Sequence, residues 1–288
     1  MTPAVATIRL LLLCSAVLMP LPCLAIPAKS DQPPDLRLNE PQSTTILVRV
    51  VGHGSMVLGR EVGSARITIT DVATKQILAT GIQQGDAGDQ NQIMRTPRLM
   101  EEPHYSSRPA AAFTATFDLL RPTLVEVTAE GPLAYPASSQ RASTTVWLVP
   151  GQDTTNDGIV LHLYGYIVQI EHPQPGESLI ARNDVILRAS VRTLSGALVR
   201  PHGDWDSRKI HIYGELMIGE RVLERLQLFY NSDRARFEAP FFVPLPNDAP
   251  DGITLRVIAA DPANGNIGIG QAKFPVLSER VPSRSRQP

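Results

Sequence analysis

Cysteine is scarce in this 288-residue chain and occurs only at Cys14 and Cys23. Beyond position 23 there is no thiol, so neither a disulfide framework nor a cysteine nucleophile is available there. Aromatic residues are only 5%. Neither sign of charge dominates, with 27 basic and 28 acidic groups and a net charge of −1. That balance excludes the basic surface that nucleic-acid phosphates require. After the first 25 residues no apolar run approaches the ~20 residues of a membrane-spanning helix. The signatures of common catalytic centres are missing too. There is no Gly-x-Ser-x-Gly elbow, no His-Glu-x-x-His pair and no Gly-x-x-x-x-Gly-Lys phosphate loop. What is abundant is punctuation: 25 Pro and 20 Gly leave little room for long helices.

The N-terminus reads as a targeting segment. Arg9 is followed by the apolar stretch from Leu10 to Leu18, then by prolines and the small-x-small site Cys23-Leu24-Ala25. Residues 1–25 are therefore expected to be a cleaved secretory signal. Lipidation is not expected, because Leu13 and Pro22, the residues before the two cysteines, are not small. Cleavage removes both cysteines and places the mature protein in a periplasm or outside the cell. Residues 26–43 are Pro-rich and polar and read as a flexible leader; residues 279–288 read as a disordered tail.

Between them the pattern has period two. Ile46, Val48 and Val50 alternate with Leu47 and Arg49; Val125, Val127 and Ala129 alternate with Glu126, Thr128 and Glu130. In the second half, Val185, Leu187, Ala189 and Val191 oppose Arg188, Ser190 and Arg192. Ile210, Ile212, Gly214, Leu216 and Ile218 oppose Lys209, His211, Tyr213 and Glu215. Such alternation predicts half-buried strands, and turns every ~8–12 residues predict sandwiches. The expectation is an all-β chain of two tandem sandwich domains, residues 44–167 and 168–278. Residues 83–112 break the rhythm and are expected to be a long loop, the least ordered part of the first domain.

Two stretches resemble known families. Residues 59–88 carry Ala65, Asp71, Thr74, Gly81 and Gly85-Asp86-Ala87-Gly88. They resemble bacterial carboxypeptidase-regulatory-like and transthyretin-like sandwich domains, although the 83–112 insert departs from that pattern. Residues 171–197 and 251–276 resemble bacterial immunoglobulin-like domains. The resemblance implies a spacer, adhesive or accessory role.

Several constellations are candidates for chemistry. His202, Asp204, Asp206 and His211 form the densest set of possible metal ligands. Asp153 to Gly158 imitates the start of a calcium loop, but Tyr164 occupies the position of the bidentate acid, so a turn is expected. Asp86, Asp89 and Asn91, and Asp261, Asn264 and Asn266, offer further oxygen groups. No cofactor is expected, calcium or zinc being the alternative these groups leave open. His162, Tyr164 and Tyr166 are expected to share one face of a strand over residues 159–170, and Tyr213 to lie outward beside His211. These rings are the candidate binding surface.

The reading that results is a non-enzymatic interaction or structural component of the bacterial cell envelope, whose partner is another envelope protein or a glycan. A carbohydrate- or metal-binding module is the alternative. An enzyme on a transthyretin-like scaffold, with His53, His104 and Arg95 converging on the insert, is the third.

Overall fold

The structure is a computed structural model and describes residues 40–100, 102–107 and 110–278. The expected signal segment, most of the leader and the expected tail lie outside the described residues. Of the leader, Gln42 and Ser43 already belong to the first strand.

The first half contributes β1 (Gln42–Gly52), β2 (Arg66–Asp71), β3 (Ile77–Ile82), a short helix α1 (Gln90–Arg95), β4 (Phe113–Leu119), β5 (Thr123–Gly131), β6 (Gln140–Leu148) and β7 (Ile159–Leu163). The second half contributes β8 (Tyr166–His172), β9 (Leu179–Ile180), β10 (Asp184–Thr193), β11 (His211–Ile218), β12 (Arg221–Gln227), β13 (Phe229–Asn231), β14 (Arg236–Phe242), β15 (Ile253–Asp261), β16 (Asn266–Phe274) and β17 (Val276–Leu277).

These strands build two sandwiches, as the period-two alternation implies. In the first, the sheet β4-β1-β7 faces the sheet β3-β2-β5-β6. Inward residues of both sheets, among them Ile46, Val48, Val50, Ile67, Val125 and Val127, form one core. In the second, the sheet β13-β14-β10-β8 faces the sheet β12-β11-β15-β16. Its core includes Leu187, Val191, Phe237, Leu255, Val257 and Phe274. β1 pairs antiparallel with β4 and parallel with β7, so β7 returns along β1 after the hairpins of the facing sheet are complete.

The expected strand over residues 159–170 is two strands. The chain breaks at Tyr164-Gly165, where Gly165 has φ 143° and donates its N–H to Asn266 Oδ1 at 2.9 Å. Only glycine adopts that φ without strain. The break sends β7 into the first sandwich and β8 into the second.

β8 then serves both cores. Tyr166 and Val168 face the second core, while Ile167 between them is buried in the first. The period of a strand makes this possible, because neighbouring residues point to opposite sides. Leu194, just past β10, also enters the first core. All described residues fall in one compact unit.

A close approach seals one side of the second sandwich. β16 runs against β8, and its Gly268 and Gly270 face the β8 backbone. A Cβ at either position would sit 2.5 Å from the carbonyl oxygen of Tyr166 or Val168. The alternate residues Ile267 and Ile269 therefore point outward and are exposed.

Two departures from the sequence pattern concern buried polar groups. Glu215 lies on the side of β11 expected to face water, yet it is buried. Arg225 from β12 and Arg256 from β15 each approach its carboxylate at 3.4 Å and cover it. Long arginine side chains thus lie over the sheet and supply the counter-charge that a buried carboxylate needs. Gln83, at the start of the insert, is almost wholly buried. Its Oε1 accepts from Val50 N at 3.0 Å, and its Nε2 donates to Leu58 O at 2.6 Å and Val50 O at 3.3 Å. One amide side chain thus ties β1 to the Leu58 segment, where Val50 O also accepts from Leu58 N.

The insert itself is anchored rather than structureless. Asp89 caps α1 through Gln92 N, and Ile93 from the helix packs with Val51, Val57 and Ala111 in a small third cluster. Bridges Gln84↔Ala112 and Asp86↔Ala110 pin its two ends together. Asp157 accepts from the backbone N–H groups of His104 and Tyr105 at 2.8 and 2.7 Å. The loop at residues 153–158 is therefore a turn with a structural task, since Asp153 and Thr154 also accept from β1 N–H groups at Thr45 and Leu47.

Candidate functional site

The surface between the sandwiches gathers rings from three separate chain segments. β1 ends at Gly52, and the turn that follows carries half-buried His53 and returns through Ser55 N–Gly52 O and Gly52 N–Met56 O bonds. His53 N donates to Leu163 O at 2.8 Å, which fixes this turn beside the end of β7. The His53 ring stacks on Tyr164 with centroids 4.1 Å apart and stands edge-on to His162 at 5.9 Å. Tyr105 from the insert meets His162 edge-on at 6.3 Å and His104 at 4.9 Å.

This patch continues into a cleft of about 260 Å³ between the two sandwiches. Its walls include Gly54, Met94, Trp205, Lys209, Asn264 and Asn266. Two hydrogen bonds cross the floor, both donated from the second sandwich to the turn that follows β1. Trp205 Nε1 donates to Gly54 O at 2.9 Å, and Asn266 Nδ2 donates to His53 O at 3.1 Å. The helix of the insert closes one rim, with Arg95 and Gln90 donating to the two oxygens of Asp204 at 2.8 and 2.7 Å. At the back, the Tyr166 hydroxyl donates to the buried Asp261 at 3.4 Å. Burial, with the Asp261 carboxylate beside it, pushes the Tyr166 hydroxyl well above its ordinary pKa, so it stays a donor.

The predicted strip of His162, Tyr164 and Tyr166 is therefore not one face. Tyr164 is exposed, His162 is half-buried beneath the insert, and Tyr166 is buried in the second core. The turn at Gly165 rotates the chain between them and destroys the common direction. Tyr213 lies elsewhere, on the outer face of β11, with Arg225 above its ring at 5.5 Å.

The four possible metal ligands do not converge. His202 is exposed with φ 56°, and His211 begins β11 opposite Ala260. Asp206 is held by the Arg208 guanidinium and by the N–H groups of Arg208 and His202. Those bonds keep its carboxyl well below the usual range, those from the Arg208 side chain foremost. Arg95 and then Gln90 do the same for Asp204. Each carboxylate already has its cationic partner, and among the described residues no three His, Cys, Asp or Glu side chains gather around a common point. Each of the three residues of the enzyme reading already has a partner: His104 Nε2 at Ile93 O, Arg95 at Asp204 and His53 stacked on Tyr164.

His162 carries a perturbed imidazole. Its Nδ1 is buried and has no hydrogen-bond partner among the described residues. Burial lowers its pKa first, and the neighbouring charges of His53 and Arg98 lower it further. Its folded pKa thus lies below its unfolded value of 6.5, and the unfolded chain binds more protons between the two. The stabilisation is complete above the unfolded value and is lost as pH falls toward the folded one. The melting temperature should therefore drop as the pH falls from about 7 through 6.5, and His162→Gln should shrink that drop. Thermal melts of both proteins across that range check it; equal slopes would assign the acid sensitivity to other groups.

No family model matches the chain. No curated protein matches it either. Among solved structures it overlays loosely on the fibronectin(III)-like modules of Clostridium thermocellum CbhA, at 9% identity and a TM-score of 0.27, over 85% of this chain and 100% of that one. It overlays on three N-terminal domains of the bacteriophage RB49 Hoc capsid protein at 12% identity and a TM-score of 0.27, over 82% of this chain and 59% of that one. The ICAM-5 D1–D4 ectodomain fragment gives 13% identity and a TM-score of 0.26, over 83% and 50% of the two chains. Overlays this loose support no inference about activity. The all-β class rests on the chain's own strands and sheets, and among the described residues no helix is long and apolar enough to cross a membrane.

Proposed function

We propose that the chain is an exported protein of the bacterial cell envelope that acts as a rigid interaction or structural component, not as an enzyme. The observation that carries this reading is the locked junction: a strand shared by two cores, with the His53–Tyr164 stack held on its surface. A patch fixed across two sandwiches loses little conformational entropy when a partner docks, and Tyr combines apolar area with a polar tip. The partner is an envelope protein. Signal cleavage after Ala25, two domains meeting near residue 167, and kinship with the carboxypeptidase-regulatory-like and immunoglobulin-like domains are parts of the same proposal. In support of the kinship, Asp71 Oδ1 accepts from Ala73 N and Thr74 N in the turn that the motif requires.

A photo-cross-linking side chain at position 164 of the protein in its own cell tests the reading. Light-dependent adducts are expected there and not from position 224, on the exposed strand β12. No adducts at 164, or equal yields at both positions, would contradict it.

A further inference from the structure

The far end of the first sandwich, away from the junction, carries a second and independent feature. Trp147 on β6 points outward, because its neighbours Val146 and Leu148 belong to the core. It is 65% exposed. An indole left in water is uncommon, and the chain has only two tryptophans. Trp147 lies directly opposite Leu124 in the β5–β6 ladder. It shares a pocket of about 310 Å³ with Asp71, Arg121, Pro122 and Thr123. The pocket is made where the β2–β3 turn, the β4–β5 turn and the end of β6 meet.

The two charged groups of this pocket, Asp71 and Arg121, are of opposite sign. Arg121 makes no hydrogen bond or ion pair from its guanidinium among the described residues. Asp71 spends one oxygen on its own turn, at 2.7 Å from Ala73 N and 2.8 Å from Thr74 N. The Thr74 hydroxyl and the charge of Arg121 also act on this carboxylate. The pocket therefore offers a strong donor, a strong acceptor and a flat apolar ring, with no net charge. An anion would meet Asp71, and a cation would meet Arg121. The complement is a neutral ligand whose faces are apolar and whose edges both donate and accept. A pyranose ring has that form: C–H groups on its face and hydroxyls around its rim.

We propose that Trp147, Arg121 and Asp71 form a binding subsite for a neutral saccharide, with the sugar face on the indole and its hydroxyls between the guanidinium and the carboxylate. The site is separate from the junction patch, so it stands or falls independently of the protein-docking reading.

The test is binding of the folded residues 26–288 to an array of neutral and acidic glycans, followed by calorimetry with the best soluble oligosaccharide. Retention of neutral glycans is expected. Trp147→Ala should weaken binding at least about tenfold, and Arg121→Ala and Asp71→Asn should each weaken it several-fold. Asn at 71 keeps the oxygen that holds the turn, and Trp147 is exposed, so the variants should melt like the parent. Tyr164→Ala should leave glycan binding unchanged. A blank array with folded protein would overturn the proposal. Glycan binding that survives Trp147→Ala, or a pocket occupied by peptide alone, would do so too.

Discussion

Replacing Gly268 by valine is expected to lower stability by about 3 kcal/mol, enough to shift the melting temperature by several degrees. The cause is local and steric. A Cβ at 268 would stand 2.5 Å from Tyr166 O and 2.7 Å from Tyr166 Cβ. Both neighbours belong to a strand held in place by two cores, so neither can retreat cheaply. β16 must then move away from β8, which opens the side of the second sandwich. Gly270→Val should act similarly through Val168 O, at 2.5 Å from its added Cβ. The control is one residue away. Ile267 points outward and is 54% exposed, so Ile267→Thr should change stability by no more than about 0.5 kcal/mol. Chemical denaturation of the three variants decides it. If Gly268→Val matched Ile267→Thr, β8 and β16 would not be in close contact.

The second large effect is expected at Ile167. It is 1% exposed and packs in the first core from a strand that hydrogen-bonds in the second sandwich. Truncation to alanine removes buried methyl groups and leaves a cavity that a shared strand cannot collapse around. A loss of about 3 kcal/mol is expected. The informative part is where the loss is felt. Were the sandwiches independent, Ile167→Ala would weaken only the first. Because β8 joins them, the change should lower the stability of both, and amide exchange should quicken in β15 of the second sandwich as well as in β2 of the first. Faster exchange confined to β2 would contradict this.

The strands were legible because each obeys a local rule. Period two in β5 and β10 follows from one face meeting a core and the other water. The Asn264-Gly265 turn between β15 and β16 follows from glycine's tolerance of positive φ, which is 71° at Gly265. What could not be read was set by contacts distant in sequence. Gly165 looks like a minor interruption inside a strong apolar stretch, and only Asn266, about a hundred residues away, makes it a break. Glu215 reads as a solvent-facing charge, because the two arginines that cover it come from other strands. The insert shows no period, yet Asp157 and Asp204 tie it down from outside. The junction patch was half visible: Tyr164 was named for its ring, but its stacking partner His53 sits in a glycine-flanked turn that reads as punctuation. Trp147 lies between Val146 and Leu148, so period two places its indole outward, but nothing local in the sequence brings Asp71 and Arg121 beside it.

The central claim is that the two sandwiches form one body through β8. Differential scanning calorimetry of residues 26–288 tests it most directly. One transition is expected, with calorimetric and van't Hoff enthalpies in a ratio of about 1, and Ile167→Ala should move that whole transition down. Two resolved transitions, with only one of them moved by Ile167→Ala, would contradict it.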